Sequence, residues 1–391
     1  MSSPTPLFVF GVARSGTNLV AGMLNAHSRI KLALDPLLPF FRALRDEWVC
    51  YSNNQDLIKA FPSGVALQDY YFHDFGTDLL DLVWNGNLST AVTEPKLIEA
   101  ISQRASLESL ELAEEFSTLR GAAYKDVLDN LLLKCAGEDC ESLKFVGTKE
   151  VWTTEFIPTL LRQYPKARAI IVRRDPRAVV ASMTEMSRKD PSQSAHIISY
   201  LRHWRKDFAV AIELSEAEEF RSRVSIVKYE DIVSRPQYGI AKLCGFLRLP
   251  LEAEMQIPVM GRGGQQYSNS SYGEFKGISP SSLRRWPEVL DEATVATIEF
   301  ICGPEMVASG YEISRQNLFA KDASIARVFR EADANGGSWR CDTGAVSTQL
   351  HSELTQLKMC DRLVSFCEDE VRKNFLFEKA YLKCIEAFEL D

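Results

Sequence analysis

The apolar residues of this chain fall into short continuous runs that alternate with longer amphipathic segments. Five runs have the length and composition of buried strands: residues 7–11, 30–34, 143–149, 167–176 and 224–229. Other segments have apolar residues at helical spacing: residues 18–27, 97–116, 121–136 and 156–165. Another helix is expected to begin after Pro176. Strands that alternate with helices predict an α/β fold with a central parallel sheet, flanked by helices.

Two internal regions depart from this alternation. Residues 37–140 are mainly helical by their apolar spacing and are expected to form an insertion. Residues 259–285 are rich in Gly, Ser, Arg and Asn, a composition that predicts a long surface loop. We therefore expect one domain over residues 1–313, followed by a C-terminal helical extension over residues 314–391.

The C-terminal extension is divided by Gly336 and Gly337. Its second part has apolar residues at helical spacing, among them Leu350, Leu354 and Leu357. The apolar face favours packing of the extension on its own domain, because most amphipathic helices bury their apolar face in that way. The alternative is a surface for a homodimer or for another partner.

The composition is that of an ordinary globular protein and excludes several classes. Of 391 residues, 46% are hydrophobic and 25% are charged, and the net charge of -8 speaks against a nucleic-acid-binding protein. No apolar run reaches the length of a membrane span. The nine cysteines form no C-x-x-C pair, which favours reduced thiols in a cytoplasmic protein without a signal peptide and without a metal site.

The first chemical signal is GVARSGTN, residues 11–18, between the first strand and the first helix. Backbone N–H groups in such a loop converge on an anion, and the helix dipole adds to them. The stretch matches the first half of the nucleoside-triphosphate loop G-x-x-x-x-G-K-[ST]. However, Thr17 and Asn18 replace the Lys and the Ser or Thr, and the loop cation is Arg14. With Ser15 as a further donor, the loop predicts an anion other than the β- and γ-phosphates of ATP.

The second signal is the stretch IIVRRDPRAVVAS. A strand ends at Arg174, the next helix starts after Pro176, and Ser182 follows Arg174 by eight residues. Asp175 is suited to cap that helix. In an open parallel sheet, ligands bind outside the carboxyl ends of the strands, so both signals are expected to contact one ligand that has two anionic ends.

Together these two elements resemble the sulfotransferases that use 3′-phosphoadenosine 5′-phosphosulfate (PAPS), whose first loop reads P-[KR]-S-G-T-[TS] and whose second reads R-[DN]-P…S. The resemblance implies a P-loop-like three-layer fold, PAPS as co-substrate and no required metal. It assigns the 5′-phosphosulfate to the first loop, at Arg14, Ser15, Gly16, Thr17 and Asn18. It assigns the 3′-phosphate to Arg174 and Ser182.

Two later segments extend the resemblance, which covers residues 7–313 in order. The stretch VKYEDIVSRP is similar to the family's Y-E-D-L segment, which implies that Tyr229 contacts the adenine. The stretch NSSYGEFKGISPSSLRRWPEVL is similar to the loop that closes over the nucleotide. It implies that Ser270, Lys276 and Arg285 are nucleotide ligands.

The motif register is closest to the tyrosylprotein branch of the family. Asp35 falls where that branch has its catalytic Glu, and Lys149 falls at its catalytic Lys. The resemblance implies that Asp35 is the general base, with Glu150 as the alternative, and that Arg14 and Lys149 stabilise the charge that develops during transfer. Asp in place of Glu, Asn18 in place of Thr, and the absence of that branch's membrane anchor leave the acceptor open.

Three functions remain open from the sequence. The first is sulfuryl transfer to a hydroxyl of a metabolite, glycan or lipid, or alternatively to a peptide tyrosine. The second is a P-loop kinase, which the missing lysine and the absence of a clear magnesium-binding Asp disfavour. The third is a non-catalytic nucleotide-binding scaffold, which Arg14, Asp35 and Lys149 together disfavour. Residues 37–140 and 184–200 are expected to line the acceptor pocket.

Overall fold

The structure, a computed structural model, describes most of the chain in several ranges: 3–64, 70–72, 75–190, 197–260, 265–266, 278–314, 355–360 and 366–389. Two compact units are built from discontinuous segments. The first comprises Met1–Leu67, Asp78–Arg173 and Leu214–Pro280. The second comprises Gln68–Thr77, Arg174–Glu213 and Ser281–Asp391. The expected domain boundary near residue 313 stays a prediction.

A five-stranded parallel sheet forms the centre of the first unit. Its strands are β1 (Thr5–Gly11), β2 (Ile30–Leu34), β3 (Phe145–Val151), β4 (Arg168–Arg173) and β5 (Val224–Lys228). The strand order is β2-β3-β1-β4-β5, and every neighbouring pair is parallel. Strands β1 to β4 are buried on both faces, which explains why their sequences are continuously apolar rather than alternating.

Helices make up most of the remaining described residues. In chain order they are α1 (Thr17–Asn25), α2 (Leu38–Tyr51), α3 (Gln55–Ala60), α4 (Gly76–Trp84), α5 (Leu97–Glu108), α6 (Leu110–Phe116), α7 (Tyr124–Ala136), α8 (Ile157–Gln163), α9 (Pro176–Lys189), α10 (Ile197–Glu216), α11 (Tyr229–Ser234), α12 (Pro236–Leu247), α13 (Trp286–Val289), α14 (Glu292–Ala308), α15 (Glu368–Phe375) and α16 (Glu378–Glu389). Among the described helices, none is both long enough and apolar enough to cross a bilayer.

The helices of the first unit cover both faces of the sheet. Helix α1 packs on β1, β2 and β3, helix α7 packs on β2 and β3, and helix α8 packs on β4. The connection from β1 to β2 runs toward one edge of the sheet, whereas those from β2 to β3 and from β3 to β4 run the other way. Because such crossovers are right-handed, α1 lies on one face, and α7 and α8 lie on the other. The predicted three-layer α/β fold is confirmed.

One helix expected from the sequence is two helices in the structure. The apolar spacing over residues 97–116 is continuous, but α5 ends at Glu108 and α6 begins at Leu110. Between them the buried Ser109 has φ -134°. Its hydroxyl oxygen accepts a hydrogen bond from the Leu34 N–H at 2.7 Å, at the end of β2. A tertiary hydrogen bond therefore interrupts a helix that the local pattern favours.

The surface loop predicted over residues 259–285 is described only in part. It contains two short antiparallel strands, β6 (Val259–Met260) and β7 (Gln265–Gln266). The 3₁₀ turn Pro280–Arg284 precedes α13. Residues 261–264 and 267–277 lie outside the described residues, and so do Ser270 and Lys276.

In the second unit, the described part of the C-terminal extension packs on preceding helices. Helix α16 packs along α14, and Lys379 on α16 forms an ion pair of 2.8 Å with Glu213 on α10. The Tyr381 hydroxyl donates to the Met359 carbonyl oxygen at 3.0 Å, which joins α16 to the helical segment 355–360. In the described part, α15 and α16 therefore contact each other and α16 contacts preceding helices, whereas residues 315–354 and 361–365 lie outside the described part.

Close approach of β1 and β3 generates a prediction about Gly147. A Cβ atom on Gly147 would lie 1.7 Å from the Leu7 carbonyl oxygen, so any side chain forces the two strands apart. We expect Gly147→Ala to lower the free energy of unfolding by at least about 3 kcal/mol, measured by urea denaturation followed by circular dichroism. The control is Gly245→Ala on α12, where a Cβ meets open space. It should raise stability by about 0.5–1 kcal/mol. Wild-type stability of Gly147→Ala would contradict the strand contact.

Candidate active site

The loop after β1 has the backbone of an anion-binding turn. The Ser15 N–H donates to the Val12 carbonyl oxygen at 3.0 Å, and α1 begins at Thr17. Gly16 is the N-cap of α1 with φ 96°, and no side chain from the described ranges caps this helix. The N–H groups of the first turn of a helix have no intrahelical partner, and together with the helix dipole they favour an anion at this point.

Tyr229 packs directly against this loop. A Cβ atom on Gly16 would lie 2.2 Å from Cδ2 of the Tyr229 ring, and that tyrosine is only 1% exposed. Gly16 is therefore required twice, by its left-handed backbone and by the ring beneath it. The Ser15 hydroxyl is buried, with no hydrogen-bond partner among the described residues. The contact of Tyr229 with adenine stays a prediction, since the structure shows its ring supporting the loop.

The Asp35 and Lys149 side chains form a buried ion pair. Lys149 Nζ donates to Asp35 Oδ2, and the two residues are 1% and 5% exposed, respectively. Asp35 follows the last residue of β2, and its N–H donates to the Lys149 carbonyl oxygen at 2.7 Å. Its second carboxylate oxygen, Oδ1, is buried and has no hydrogen-bond partner within the described part of the chain. Two predicted catalytic residues are thus in contact, and one carboxylate oxygen is available to a ligand.

Backbone strain is concentrated at the ends of three adjacent strands. Arg14 follows β1 by three residues with φ 72°, Asp35 follows β2 with φ 55°, and Trp152 follows β3 with φ 72°. Each is a non-glycine residue in the left-handed region, at a cost of roughly 1–2 kcal/mol. Such conformations persist only where the surrounding structure imposes them, and they cluster at functional sites.

Arg104 and Ser109 hold the Asp35 segment, although no pattern in the sequence indicates either role. Arg104 Nε donates to the Asp35 carbonyl oxygen at 3.2 Å from helix α5. The Ser109 hydroxyl binds the backbone of the preceding residue, Leu34. Both residues lie about 70 positions further along the chain, in a segment whose apolar spacing predicts one continuous helix, so no spacing pattern could have identified them.

Glu150 lies next to Lys149 on β3 and is completely buried. Both of its carboxylate oxygens accept from the Leu37 N–H, at 3.1 and 3.2 Å. Burial raises the pKa of the Glu150 carboxyl well above its ordinary value of 4.5, and the charge of Asp35 raises it further. The Lys149 charge and the Leu37 N–H oppose this shift in part. Glu150 therefore contacts the segment that carries Asp35 and senses its charge.

The second unit contains another group of predicted ligands. Arg174 is 6% exposed, and its Nη2 lies 3.4 Å from the Ser282 carbonyl oxygen. The Trp204 indole N–H donates to the Arg174 carbonyl oxygen at 2.7 Å. Ser182 is buried on α9, and Arg285 is the N-cap residue of α13. The structure thus brings the Arg174 and Arg285 segments together.

Arg177 holds these segments in place, although the sequence did not single it out. Its guanidinium donates to both Asp175 and Glu299, each at 2.7 Å at the shortest, and it stacks on the Trp286 ring with 4.4 Å to the centroid. Asp175 in turn accepts from the Arg177 N–H and caps α9, as expected. One buried arginine therefore fixes the residues that neighbour Arg174 and Arg285.

The loop Gly11–Thr17 lies at a topological switch point of the sheet. The connection after β1 leads to β2, and the connection after the neighbouring β4 leads to β5 in the opposite direction. Ligands of open α/β sheets bind in the crevice outside the strand ends at such a point. Among the described residues, no group of three or more His, Cys, Asp or Glu has the arrangement of a metal site.

Comparison with known proteins identifies the family. Residues 6–253 match the sequence model described as the sulfotransferase family, so the chain belongs to this family and its chemistry is sulfuryl transfer. It is 25% identical over 201 residues to a putative protein-tyrosine sulfotransferase of Caenorhabditis elegans, covering 49% of this chain and 74% of that protein. It is 21% identical over 359 residues to human carbohydrate sulfotransferase 1, covering 84% of each.

A search of solved structures finds, among others, the sulfotransferase domain from the curacin biosynthetic pathway. Its TM-score is 0.47 at 17% sequence identity, and the match covers 80% of this chain and 100% of that domain.

The raised pKa of Glu150 predicts a pH dependence of stability. The folded protein retains this proton over a range in which the unfolded chain has released it, so the free energy of unfolding should fall as the pH rises above about 4.5. Glu150→Gln does not ionise and should flatten that fall, whereas Glu114→Gln, at an exposed position on α6, should leave it unchanged. Urea denaturation from about pH 5 to about pH 8 measures the slope. Equal slopes for Glu150→Gln and the wild type would contradict this assignment.

Proposed function

We propose that this protein transfers the sulfuryl group of PAPS to an acceptor hydroxyl, with Asp35 as the general base. The observation that carries the proposal is the buried Asp35–Lys149 pair at the carboxyl ends of the strands, which leaves Asp35 Oδ1 without a hydrogen-bond partner among the described residues. A buried polar atom without a partner costs free energy, and use of that atom by a ligand or a reaction is one reason for its retention. Membership of the sulfotransferase family supports the reaction class.

The donor binds to the loop after β1 and to the Arg174 segment. The uncapped N-terminus of α1, the Ser15 hydroxyl and Arg14 bind the phosphosulfate, and the loop lacks the lysine that would favour a nucleoside triphosphate. Arg174 and Ser182 bind the 3′-phosphate, because charge-assisted bonds to phosphate are among the strong polar contacts. Gly16, Thr17 and Asn18 complete the first loop. Tyr229, Ser270, Lys276 and Arg285 are the further nucleotide ligands that the resemblance implies.

The transfer proceeds in line, like phosphoryl transfer, so positioning and charge stabilisation carry most of the catalysis. The acceptor oxygen forms a bond to sulfur while the bond between sulfur and the 5′-phosphate oxygen breaks. Asp35 Oδ1 takes the proton of the acceptor hydroxyl, and the 5′-phosphate oxygen that leaves gains negative charge. Neutralising Asp35 releases Lys149 from its ion pair, so the Lys149 charge becomes available to the leaving oxygen at that moment. Arg14 stabilises the sulfuryl oxygens.

Asp35 is the better candidate base than Glu150. Both oxygens of Glu150 accept from the Leu37 N–H, and its side chain is wholly buried. A general base must reach the proton that it abstracts, directly or through one water. Asp35 Oδ1 has no competing protein donor among the described residues. In this assignment Glu150 holds the segment that carries Asp35.

The acceptor is a hydroxyl of a metabolite, glycan or lipid, and the alternative is a peptide tyrosine. The names of the relatives support both classes, since one is a carbohydrate sulfotransferase and another a putative protein-tyrosine sulfotransferase. A screen with sulfur-labelled PAPS over sugars, aliphatic alcohols, phenols and tyrosine peptides separates them. Label on peptides alone would establish the alternative, and no label on any hydroxyl would contradict the proposal.

The donor assignment predicts which nucleotide stabilises the protein. Adenosine 3′,5′-bisphosphate (PAP), the desulfated product, should raise the melting temperature without metal, because a ligand at 100 times its dissociation constant adds about 2.7 kcal/mol. ATP with magnesium should raise it far less, since the loop lacks the required lysine. Differential scanning fluorimetry with each nucleotide, with and without EDTA, provides the comparison. Equal shifts would favour a kinase, and no shift with either nucleotide would contradict the donor assignment.

The roles of Asp35, Lys149 and Arg14 predict a separation of binding from chemistry. Asp35→Asn should leave the affinity for PAP within a few-fold of the wild type and lower the single-turnover rate by about 10² to 10⁴. Lys149→Ala should resemble it, because Lys149 acts on charge that appears during transfer. Arg14→Ala should weaken both binding and turnover. Titration calorimetry and rapid-quench kinetics measure the two quantities. Turnover near that of the wild type in Asp35→Asn would remove it as the base and favour Glu150.

A further inference from the structure

Arg174 is held in the second unit by a neighbouring helix. The indole N–H of Trp204 on α10 donates to the Arg174 carbonyl oxygen at 2.7 Å, and both residues are buried. Arg174 directly follows the last residue of β4 and precedes the capping residue of α9. The hydrogen bond therefore fixes the peptide group from which the Arg174 side chain projects.

The next residue of α10 binds the C-terminal extension. Arg205 Nε donates to Glu305 Oε1 on α14 at 2.8 Å, and Arg205 Nη2 donates to the Asn374 carbonyl oxygen on α15 at 2.7 Å. Gln356 Nε2 donates to the same Glu305 oxygen at 2.7 Å. The Arg205 and Glu305 side chains are 2% and 3% exposed, so the pair is shielded from solvent.

Holding a helix through such a buried cluster of charged groups costs free energy. Removing two charges from water costs several kcal/mol per ion, and apolar residues of similar size often stabilise a fold as well or better. A buried ion pair can instead restrict the elements that it joins to one defined arrangement. Here it joins α10, α14 and the C-terminal helices, and the Lys379–Glu213 ion pair joins α16 to α10 a second time. Helix α10 is thus bound both by α14 and by the C-terminal extension.

We propose that α15 and α16 form a positioning element for the PAPS-binding residue Arg174. They hold α10 through the Arg205 cluster, and Trp204 on α10 holds the Arg174 peptide. The inference rests on the proposed function, in which Arg174 binds the 3′-phosphate. Its consequence is that changes near the C-terminus weaken donor binding. They raise the KM for PAPS and leave the KM for the acceptor and the kcat at saturating PAPS little changed.

The direct test is a double-mutant cycle between Trp204 and Arg174. Trp204→Phe keeps an aromatic side chain but removes the indole N–H donor and part of the ring volume, so the affinity for PAP, measured by titration calorimetry, should fall roughly 2- to 10-fold. In the Arg174→Ala background the same change should have almost no effect, since coupled residues are not additive. An equal loss in both backgrounds would overturn the inference, because the effect would not pass through Arg174.

The C-terminal link is tested by replacing the buried pair as a whole. Arg205→Met combined with Glu305→Leu leaves no lone buried charge, so the protein should stay folded. Its affinity for PAP should fall about as much as that of Trp204→Phe, again only when Arg174 is present. The matched control is Lys383→Met, which removes a solvent-exposed ion pair with Glu386 on α16. It should bind PAP like the wild type.

The outcomes separate this inference from the proposed function. If Arg174→Ala itself binds PAP as tightly as the wild type, the 3′-phosphate assignment falls and this inference falls with it. If Arg174→Ala weakens binding but Trp204→Phe and the paired replacement do not, the donor site stands and the positioning role is overturned. If the paired replacement fails to fold, the Trp204 cycle alone decides, and an unaltered affinity in Trp204→Phe overturns the inference.

Discussion

The active-site end of the first unit depends on one buried ion pair, between Lys149 and Asp35. Two charges removed from water cost several kcal/mol each unless geometry and further hydrogen bonds compensate. Here the Asp35 N–H bonds to the Lys149 backbone, and Arg104 binds the Asp35 carbonyl oxygen. The pair fastens the end of β2 to β3 and holds the Asp35 backbone in its left-handed conformation. A cation faces one oxygen of this deeply buried carboxylate, while the other has no hydrogen-bond partner in the described part of the chain.

Local chemistry explains which features could be predicted from the sequence. The strands are continuously apolar because both faces of a parallel sheet are buried. The loop after β1 can be identified from its two glycines, Gly11 and Gly16, which stand at a fixed spacing. Asp35 and Lys149 lie 114 residues apart, and only the resemblance to a known family paired them. Arg104 and Ser109 could not be found, because their partners are backbone atoms of a distant strand end. The break at Ser109 likewise reflects a tertiary bond that overrides helix propensity.

The second unit likewise contains one segment that a local sequence pattern identifies and several residues that no local pattern identifies. The stretch around Arg174 was recognisable because an arginine, a capping Asp-Pro and a serine stand at set distances in a single segment. The residues that hold this segment come from three other helices. Trp204 lies 30 residues further along the chain and Glu299 lies 122 residues beyond Arg177, so no local pattern links them. Ser270 and Lys276 lie outside the described residues, and their assignment stays a prediction.

The left-handed residues at the ends of β1, β2 and β3 carry a consequence for engineering. At Arg14 and Trp152, glycine would relieve the strained backbone because it adopts positive φ without steric cost, whereas at Asp35 it would also leave the Lys149 charge buried without its carboxylate. Selection for thermostability alone would therefore favour glycine at Arg14 and remove a group assigned to catalysis. A library that aims to stabilise this enzyme should keep those positions fixed and seek its gains on the exposed helix surfaces, where stability and turnover do not compete.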